Sequence, residues 1–272
     1  MGTVVELNGS RAVVTGGASG IGAEVVAQLV AAGCRVAVLD IAEPVAGGGV
    51  GAGAGQKAEL WLPCDIADEA AVDGAFAEAH DRLGGLDVAV LNAAVGGFGA
   101  LLDMPMAEWD RVMAVNLRGT LLSLRAVGRT LVVGGRGGSV VAISSVSGFL
   151  ADRMMGHYSV SKAAVDQLVR VAARELGPFG IRVNAVAPGT TDTPMFSATR
   201  RLPGYRERVA ERAALGGIGT PAGVAQAVVA LLGLDWVTGQ VLAADGGVSL
   251  WSPIDPAESL QAESSPTADT GG

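Results

Sequence analysis

The chain has 272 residues and a formal net charge of −8, with 50% hydrophobic residues and 41 glycines, a length that one α/β unit can fill with an ample core. A negative surface offers no attraction to nucleic acid or to an anionic membrane, so neither is expected as a partner. The two cysteines, Cys34 and Cys64, form no disulfide framework and have no metal-ligand spacing, so both read as buried hydrophobes and no metal is expected.

The N-terminus, MGTVVELNGS, lacks the charged, apolar and small-residue regions of a signal peptide. Apolar segments elsewhere are interrupted well short of a membrane span, which fits a cytoplasmic protein. Along the chain, short Val/Ala/Ile-rich runs alternate with longer helical patterns, the arrangement of a parallel sheet covered on both faces. Strands are expected near 11–15, 35–40, 60–63, 87–92, 139–144, 182–187 and 240–244. Helices fall between them, the longest at 107–132 and 157–177. The fold class is therefore α/β, a single-domain Rossmann-type doubly wound sheet over residues 1–251. The polar, proline-containing tail 252–272 is expected to lie outside it.

The first strand runs into VVTGGASGIG, where Gly16, Gly20 and Gly22 precede an alanine-rich helical segment. Glycines there let the backbone approach a pyrophosphate, and the helix start offers free N–H groups and a positive dipole end. The Gly-x-x-x-Gly-x-Gly spacing carries no Gly-Lys-Ser/Thr ending, which argues against a kinase or ATPase. A glycine turn can also be purely structural, but the next strand ends in Asp40, at about the distance where an acidic residue grips an adenosine ribose. Residues 42–58 are a glycine/alanine run in place of most of a helix, read as a flexible loop beside the adenine pocket.

Farther on, Ser145 in VVAISSVSG lies thirteen residues before Tyr158, and Lys162 follows Tyr158 by four on a predicted helix. Side chains at i and i+4 share a helix face, so the phenol and the ammonium can point into one cleft. To act as a general acid/base at neutral pH a tyrosine must fall by roughly 3 pKa units from ~10, about 4 kcal/mol. A neighbouring ammonium in a partly desolvated site can supply that.

Together these residues resemble the short-chain dehydrogenase/reductase family from about Leu7 to Gly247. Thr15-Gly16-x-x-x-Gly20-x-Gly22 matches its cofactor motif, with Ser19 and Ile21 inside it, and Ile41 follows Asp40. Asp65 in LPCDIAD, followed by Ile66, stands where the family holds the adenine ring. Asn92-Ala93-Ala94 resembles the family's Asn-Ala-Gly turn, and Pro188, Gly189, Thr191 and Thr193 the segment that cradles the nicotinamide. Asn116, Ser145, Tyr158 and Lys162 correspond to the catalytic tetrad. The resemblance implies NAD as cofactor and hydride exchange with a secondary alcohol or ketone. Tyr158 would move the hydroxyl proton and Ser145 bind the same oxygen. Lys162 would lower the tyrosine pKa and bind the nicotinamide ribose, and Asn116 would hold a water. A homotetramer is implied as well, with the two long helices forming one interface and the last strand contributing to another.

Ser144 is read as a scaffold residue, and His157, one position from Tyr158 and so turned about 100° away on a helix, as surface or lid packing. Three departures stand out: Ala94 for the usual glycine, the shortened 42–58 segment, and Gly217 where relatives often carry arginine to anchor the lid. The lid is expected at about 190–218. Val95, Phe98, Phe149, Met154, Met155, Met195 and Phe196, with Ser147, form the candidate pocket, an apolar set suited to a hydrophobic or cyclic alcohol or ketone. Half of that apolar set could equally pack the core. Alternatives are a 3-oxoacyl-carrier-protein reductase, which would want NADPH and a basic patch, and a non-catalytic NAD-binding regulator, for which Tyr158 would be superfluous. An extended-type epimerase or dehydratase uses a different glycine spacing. Asp40 would repel the 2′-phosphate of NADP, with no cation in Gly17, Ala18, Ser19 or Ile41 to rescue it.

Overall fold

The computed structural model describes residues 6–43, 58–196, 202–252 and 254–257. Most of the expected adenine-side loop (44–57), part of the lid (197–201) and the end of the tail lie outside the described residues.

Seven parallel strands form one sheet in the order β3-β2-β1-β4-β5-β6-β7. They are β1 Arg11–Thr15, β2 Arg35–Asp40, β3 Leu60–Pro63, β4 Val88–Leu91, β5 Gly138–Ile143, β6 Ile181–Pro188 and β7 Val241–Ala244. Each agrees with its expected position to within one residue at either end. Strands covered on both faces must be apolar throughout, and β4, β5 and β6 are buried along their whole length.

Helices of eight residues or more among the described residues are α1 Gly20–Ala31, α2 Glu69–Leu83, α3 Met106–Met113, α4 Thr120–Gly134, α5 Gly156–Leu176, α6 Tyr205–Arg212 and α7 Pro221–Gly233, of which α1, α2, α4, α5 and α7 pack against the sheet. Alternation along β1 divides the core. Val13 joins Phe76 of α2, Leu131 of α4 and Val169 of α5, whereas Ala12 and Val14 join Leu29 of α1 and Val228 of α7. Local signals set the helix ends. Asp68 caps α2 by accepting from Ala70 N and Ala71 N, and Gly84 ends it at φ 74°. Thr220 caps α7 just before Pro221.

The helix expected over 107–132 is not continuous. A π turn, Ala114–Gly119, separates α3 from α4. Tertiary contacts impose it: Asn116 exchanges hydrogen bonds with Val95, accepting from its N–H at 2.8 Å and donating to its carbonyl at 2.9 Å. Gly119 is pressed onto Ile66, whose Cδ1 would stand 2.7 Å from any Cβ there. Within the widened turn the Thr120 hydroxyl donates to the Asn116 carbonyl at 2.7 Å. Single π turns of this kind occur often at functional sites.

Thr15 is in register with Leu39 on one side and Leu91 on the other. The sheet changes direction there, and the crevice above the carboxyl ends of β1 and β4 is where such sheets take ligands.

Candidate active site

The first wall of the crevice is the glycine turn after β1. The Thr15 hydroxyl accepts from Asn92 N and Ala93 N, and Asn92 Nδ2 donates to Gly16 O at 2.7 Å. The turn is so tight that a Cβ on Gly16 (φ 65°) would lie 2.6 Å from Ala93 Cα, and one on Gly22 only 2.1 Å from Gly16 O. Ala94 shows no such constraint, since Met154 (φ 69°) is the one described non-glycine residue with positive φ. Its methyl group therefore needs no strained backbone.

Ser19, the residue before α1, makes no side-chain cap, so the first-turn N–H groups are left to an incoming anion. Asp40 Oδ2 accepts from Ala18 N at 2.9 Å and Oδ1 from Ala42 N at 3.0 Å. That fixes the carboxylate beside the turn with lone pairs to spare. Ile41 is 77% exposed. Asp65, at the end of β3, is held by Ala67 N, whereas the Ile66 side chain is buried. A collapsed glycine turn, an uncapped helix start and an oriented carboxylate suit a dinucleotide.

The second wall comes from β5 and α5. Ser145 leaves β5 extended, and its Oγ accepts from Ser147 N at 3.1 Å. Ser145 lowers the pKa of the Tyr158 phenol. The Lys162 ammonium is buried, donates to Ile143 O at 2.8 Å and lies 5.7 Å from the Tyr158 ring centroid. Asn116 Nδ2 also donates to Ser161 Oγ, and that hydroxyl donates to Tyr158 O at 2.7 Å. Asn116 is thus linked through Ser161 to the backbone of Tyr158, and Lys162 is anchored separately on Ile143 O. Ser144 is buried, with its hydroxyl directed at Lys162 O.

Electrostatics in this cluster are dominated by burial. Burial raises the Tyr158 phenol above its ordinary range and Ser145 only partly opposes that. Burial lowers Lys162 itself to about 8, with the carboxylate of Asp166 opposing. In the protein alone, desolvation therefore outweighs the attraction of ammonium for phenolate. Asp166, one turn beyond Lys162, is raised by burial, with Ser144 opposing. Its i+4 spacing from Lys162 was visible in the sequence.

His157 differs from its expected surface or lid position. It is fully buried between α3 and α5, with Nε2 3.7 Å from Glu108 Oε1. Gly97 makes the room, because a Cβ there would stand 2.7 Å from that nitrogen.

On the pocket side, Gly99 N donates to Met154 O at 2.8 Å and Gly99 pairs with Met155, which ties the 94–99 turn to the loop before α5. Phe98, Phe149, Met154 and Met195 are about half exposed at the mouth. Phe196 is buried and packs on Tyr205, ring centroids 6.1 Å apart. Pro188 ends β6; Gly189 N donates to Ala244 O, and the Thr191 hydroxyl to Gly189 O. Thr193 faces the glycine turn, its Cγ2 3.5 Å from where a Gly20 Cβ would be. No side chain meets Gly217 (φ 83°). The lid is fastened elsewhere: Leu215 N donates to Gly246 O, and the Arg212 guanidinium sits 4.6 Å over the Trp251 ring.

Residues 16–249 match the family model described as enoyl-(acyl carrier protein) reductase. The chain is 40% identical over 246 residues to the 2,5-dichloro-2,5-cyclohexadiene-1,4-diol dehydrogenase of Sphingobium indicum, covering 89% of this chain and 98% of that one. It is 37% identical to the mitochondrial (−)-isopiperitenol/(−)-carveol dehydrogenase of Mentha piperita, covering 91% and 96%. A crystal structure of a short-chain type dehydrogenase/reductase from Mycobacterium marinum superposes with a TM-score of 0.82 at 32% identity, covering 90% of this chain and 98% of that one. The order of the sheet, the glycine turn and these relatives agree, and the chain belongs to the short-chain dehydrogenase/reductase family of oxidoreductases.

Proposed function

We propose that this protein is an NAD(H)-dependent dehydrogenase that interconverts a secondary alcohol, hydrophobic and cyclic, with its ketone. The observation that carries the reading is the buried Lys162 ammonium, anchored on Ile143 O and 5.7 Å from the Tyr158 ring, with Ser145 at the end of the neighbouring strand β5. Gly16, Gly20 and Gly22 with the start of α1 would hold the pyrophosphate, and Asp40 the adenosine ribose. Asp65 and Ile66 would flank the adenine, and Pro188, Gly189, Thr191 and Thr193 the nicotinamide. When bound, the nicotinamide gives or accepts the hydride. Tyr158 Oη takes the hydroxyl proton in oxidation and returns it in reduction, while the Ser145 hydroxyl fixes the same substrate oxygen. Lys162 sits where its charge favours the phenolate that accepts this proton. Asn116 and Ser161 hold the backbone of the turn that carries Tyr158. A cyclic substrate is supported by the half-exposed apolar mouth and by relatives whose names specify ring alcohols. An absorbance assay for NADH with a panel of cyclic alcohols tests the reading, and no turnover of any of them would sink it.

NAD is expected to be preferred over NADP by about ten- to a hundredfold in kcat/KM, because phosphate against Asp40 costs on the order of 1–3 kcal/mol in a partly desolvated pocket. Among the described residues no arginine or lysine pairs with Asp40. Replacing Asp40→Ser together with the exposed Ile41→Arg should narrow or reverse the ratio. A wild type that favours NADP contradicts this assignment.

We also take the working form to be a cytoplasmic homotetramer. Leu121 on α4, Val160 and Val171 on α5, and Leu242 on the edge strand β7 are exposed apolar side chains on the helices and strand expected to meet partners. Light scattering at micromolar concentration should give four times the chain mass, and a monomer mass would rule the tetramer out.

A further inference from the structure

At the far end of the crevice from Tyr158, the Asp40 carboxylate is the last member of a hydrogen-bond chain that starts on another strand. β3 is the edge strand of the sheet and pairs with β2 as far as Asp40, which stands opposite Pro63. Cys64 N donates to Asp40 O at 3.1 Å. Beyond that bond Ile41 is 77% exposed, and the ladder no longer holds the chain. Ala42 is held by a side chain instead: Trp61 Nε1 donates to Ala42 O at 3.0 Å. The N–H of Ala42 in turn donates to Asp40 Oδ1 at 3.0 Å, while Oδ2 accepts from Ala18 N of the glycine turn at 2.9 Å.

Trp61 is in register with Val38, and both belong to the cluster on the α1 face of the sheet. Val38 itself touches the glycine turn, its Cγ1 3.0 Å from where a Gly17 Cβ would be. Packing at position 61 needs only a large apolar side chain, such as the leucines at 60 and 62. An indole adds an N–H donor, and here the donor is used. The glycine/alanine run at 46–55 brings no polar side chain that could replace it. Resting on the NAD reading above, we infer that Trp61 is a positioning residue for cofactor selection: its indole fixes Ala42, whose N–H holds the Asp40 carboxylate in the orientation that would meet the adenosine ribose. Without the indole, Ala42 is released and Asp40 keeps only Ala18 N as an anchor. A carboxylate free to turn away is a poorer acceptor for the ribose hydroxyls of NAD and a weaker opponent of the 2′-phosphate of NADP. Loss of Trp61 therefore moves the two cofactors in opposite directions.

Calorimetric titration with NADH and with NADPH tests this on the wild type, Trp61→Phe and Trp61→Leu. Both variants keep an apolar side chain on the cluster and lack the donor. The wild type is expected to bind NADH more tightly. Each variant should lower the ratio of the NADPH to the NADH dissociation constant by about three- to tenfold, the size of one lost hydrogen bond. In an Asp40→Ala background Trp61→Phe should leave the ratio where Asp40→Ala alone puts it, because the indole acts through that carboxylate. An unchanged ratio in either folded variant, an equal loss of affinity for both cofactors, or the same fall in the absence of Asp40 would each overturn the inference while leaving the NAD reading in place. A wild type that prefers NADPH, or binds neither cofactor, would remove the NAD reading and the role of Trp61 with it.

Discussion

Tyr158→Phe is expected to lower kcat for alcohol oxidation by about 10²–10⁴-fold, the range that a positioned general acid/base contributes. The ring remains over the Lys162 ammonium, so the 5.7 Å contact that supports the cleft floor is kept. NAD affinity, measured by fluorescence titration, should change little, because the glycine turn and Asp40 are untouched. Only the hydroxyl proposed to exchange the proton is removed. A variant that keeps more than a fifth of wild-type kcat would take Tyr158 out of that role. The wild-type pH profile gives a second check. Burial holds the phenol protonated at neutral pH, so oxidation, which needs the phenolate, should climb with pH, whereas reduction starts from the form already present.

Much of this architecture could be read from the chain. Apolar runs such as VAVL at 88–91 announce strands covered on both sides, and the tight glycine spacing at 16–22 announces a backbone with no room for side chains. Tyr158 and Lys162 pair by their i,i+4 spacing, whereas the four-residue tetrad is what the family resemblance implies. What stayed hidden depends on partners distant in sequence. The π turn at 114–119 arises because Asn116 exchanges hydrogen bonds with Val95 and Gly119 rests on Ile66, and helical periodicity carries no trace of either contact. His157 is buried because Gly97, sixty residues earlier, vacates a space for the ring. The raised Tyr158 phenol was likewise invisible. A lysine four residues away suggests attraction, but the outcome depends on how much water the fold removes from both groups.

Lys162→Met should yield a protein that is more stable and nearly inactive. Burying the ammonium lowers Lys162 from 10.5 to about 8, a shift that corresponds to a penalty of about 3 kcal/mol for folding with the charge in place. Methionine fills similar volume without the charge. The substitution also leaves Ile143 O without its 2.8 Å donor, which returns about 1–2 kcal/mol of the gain. A net gain of about 1–2 kcal/mol in a chain of this size raises Tm by roughly 3–6 °C at pH 7. The sign of the pH dependence follows from the same shift. Between about 8 and 10.5 the unfolded chain binds the lysine proton more tightly than the folded one, so wild-type stability recovers as pH rises through that window and the gap to the variant closes. Activity should move the other way, because a phenolate formed at Tyr158 would lose its nearest cation. Turnover should drop by about 10²-fold or more, and any residual oxidation should have its pH optimum displaced upward. Calorimetric scans from pH 7 to 10 alongside initial rates decide the matter. A variant less stable than wild type at pH 7 would show that the buried ammonium holds this cleft together, and an unchanged pH profile would remove Lys162 from the control of Tyr158.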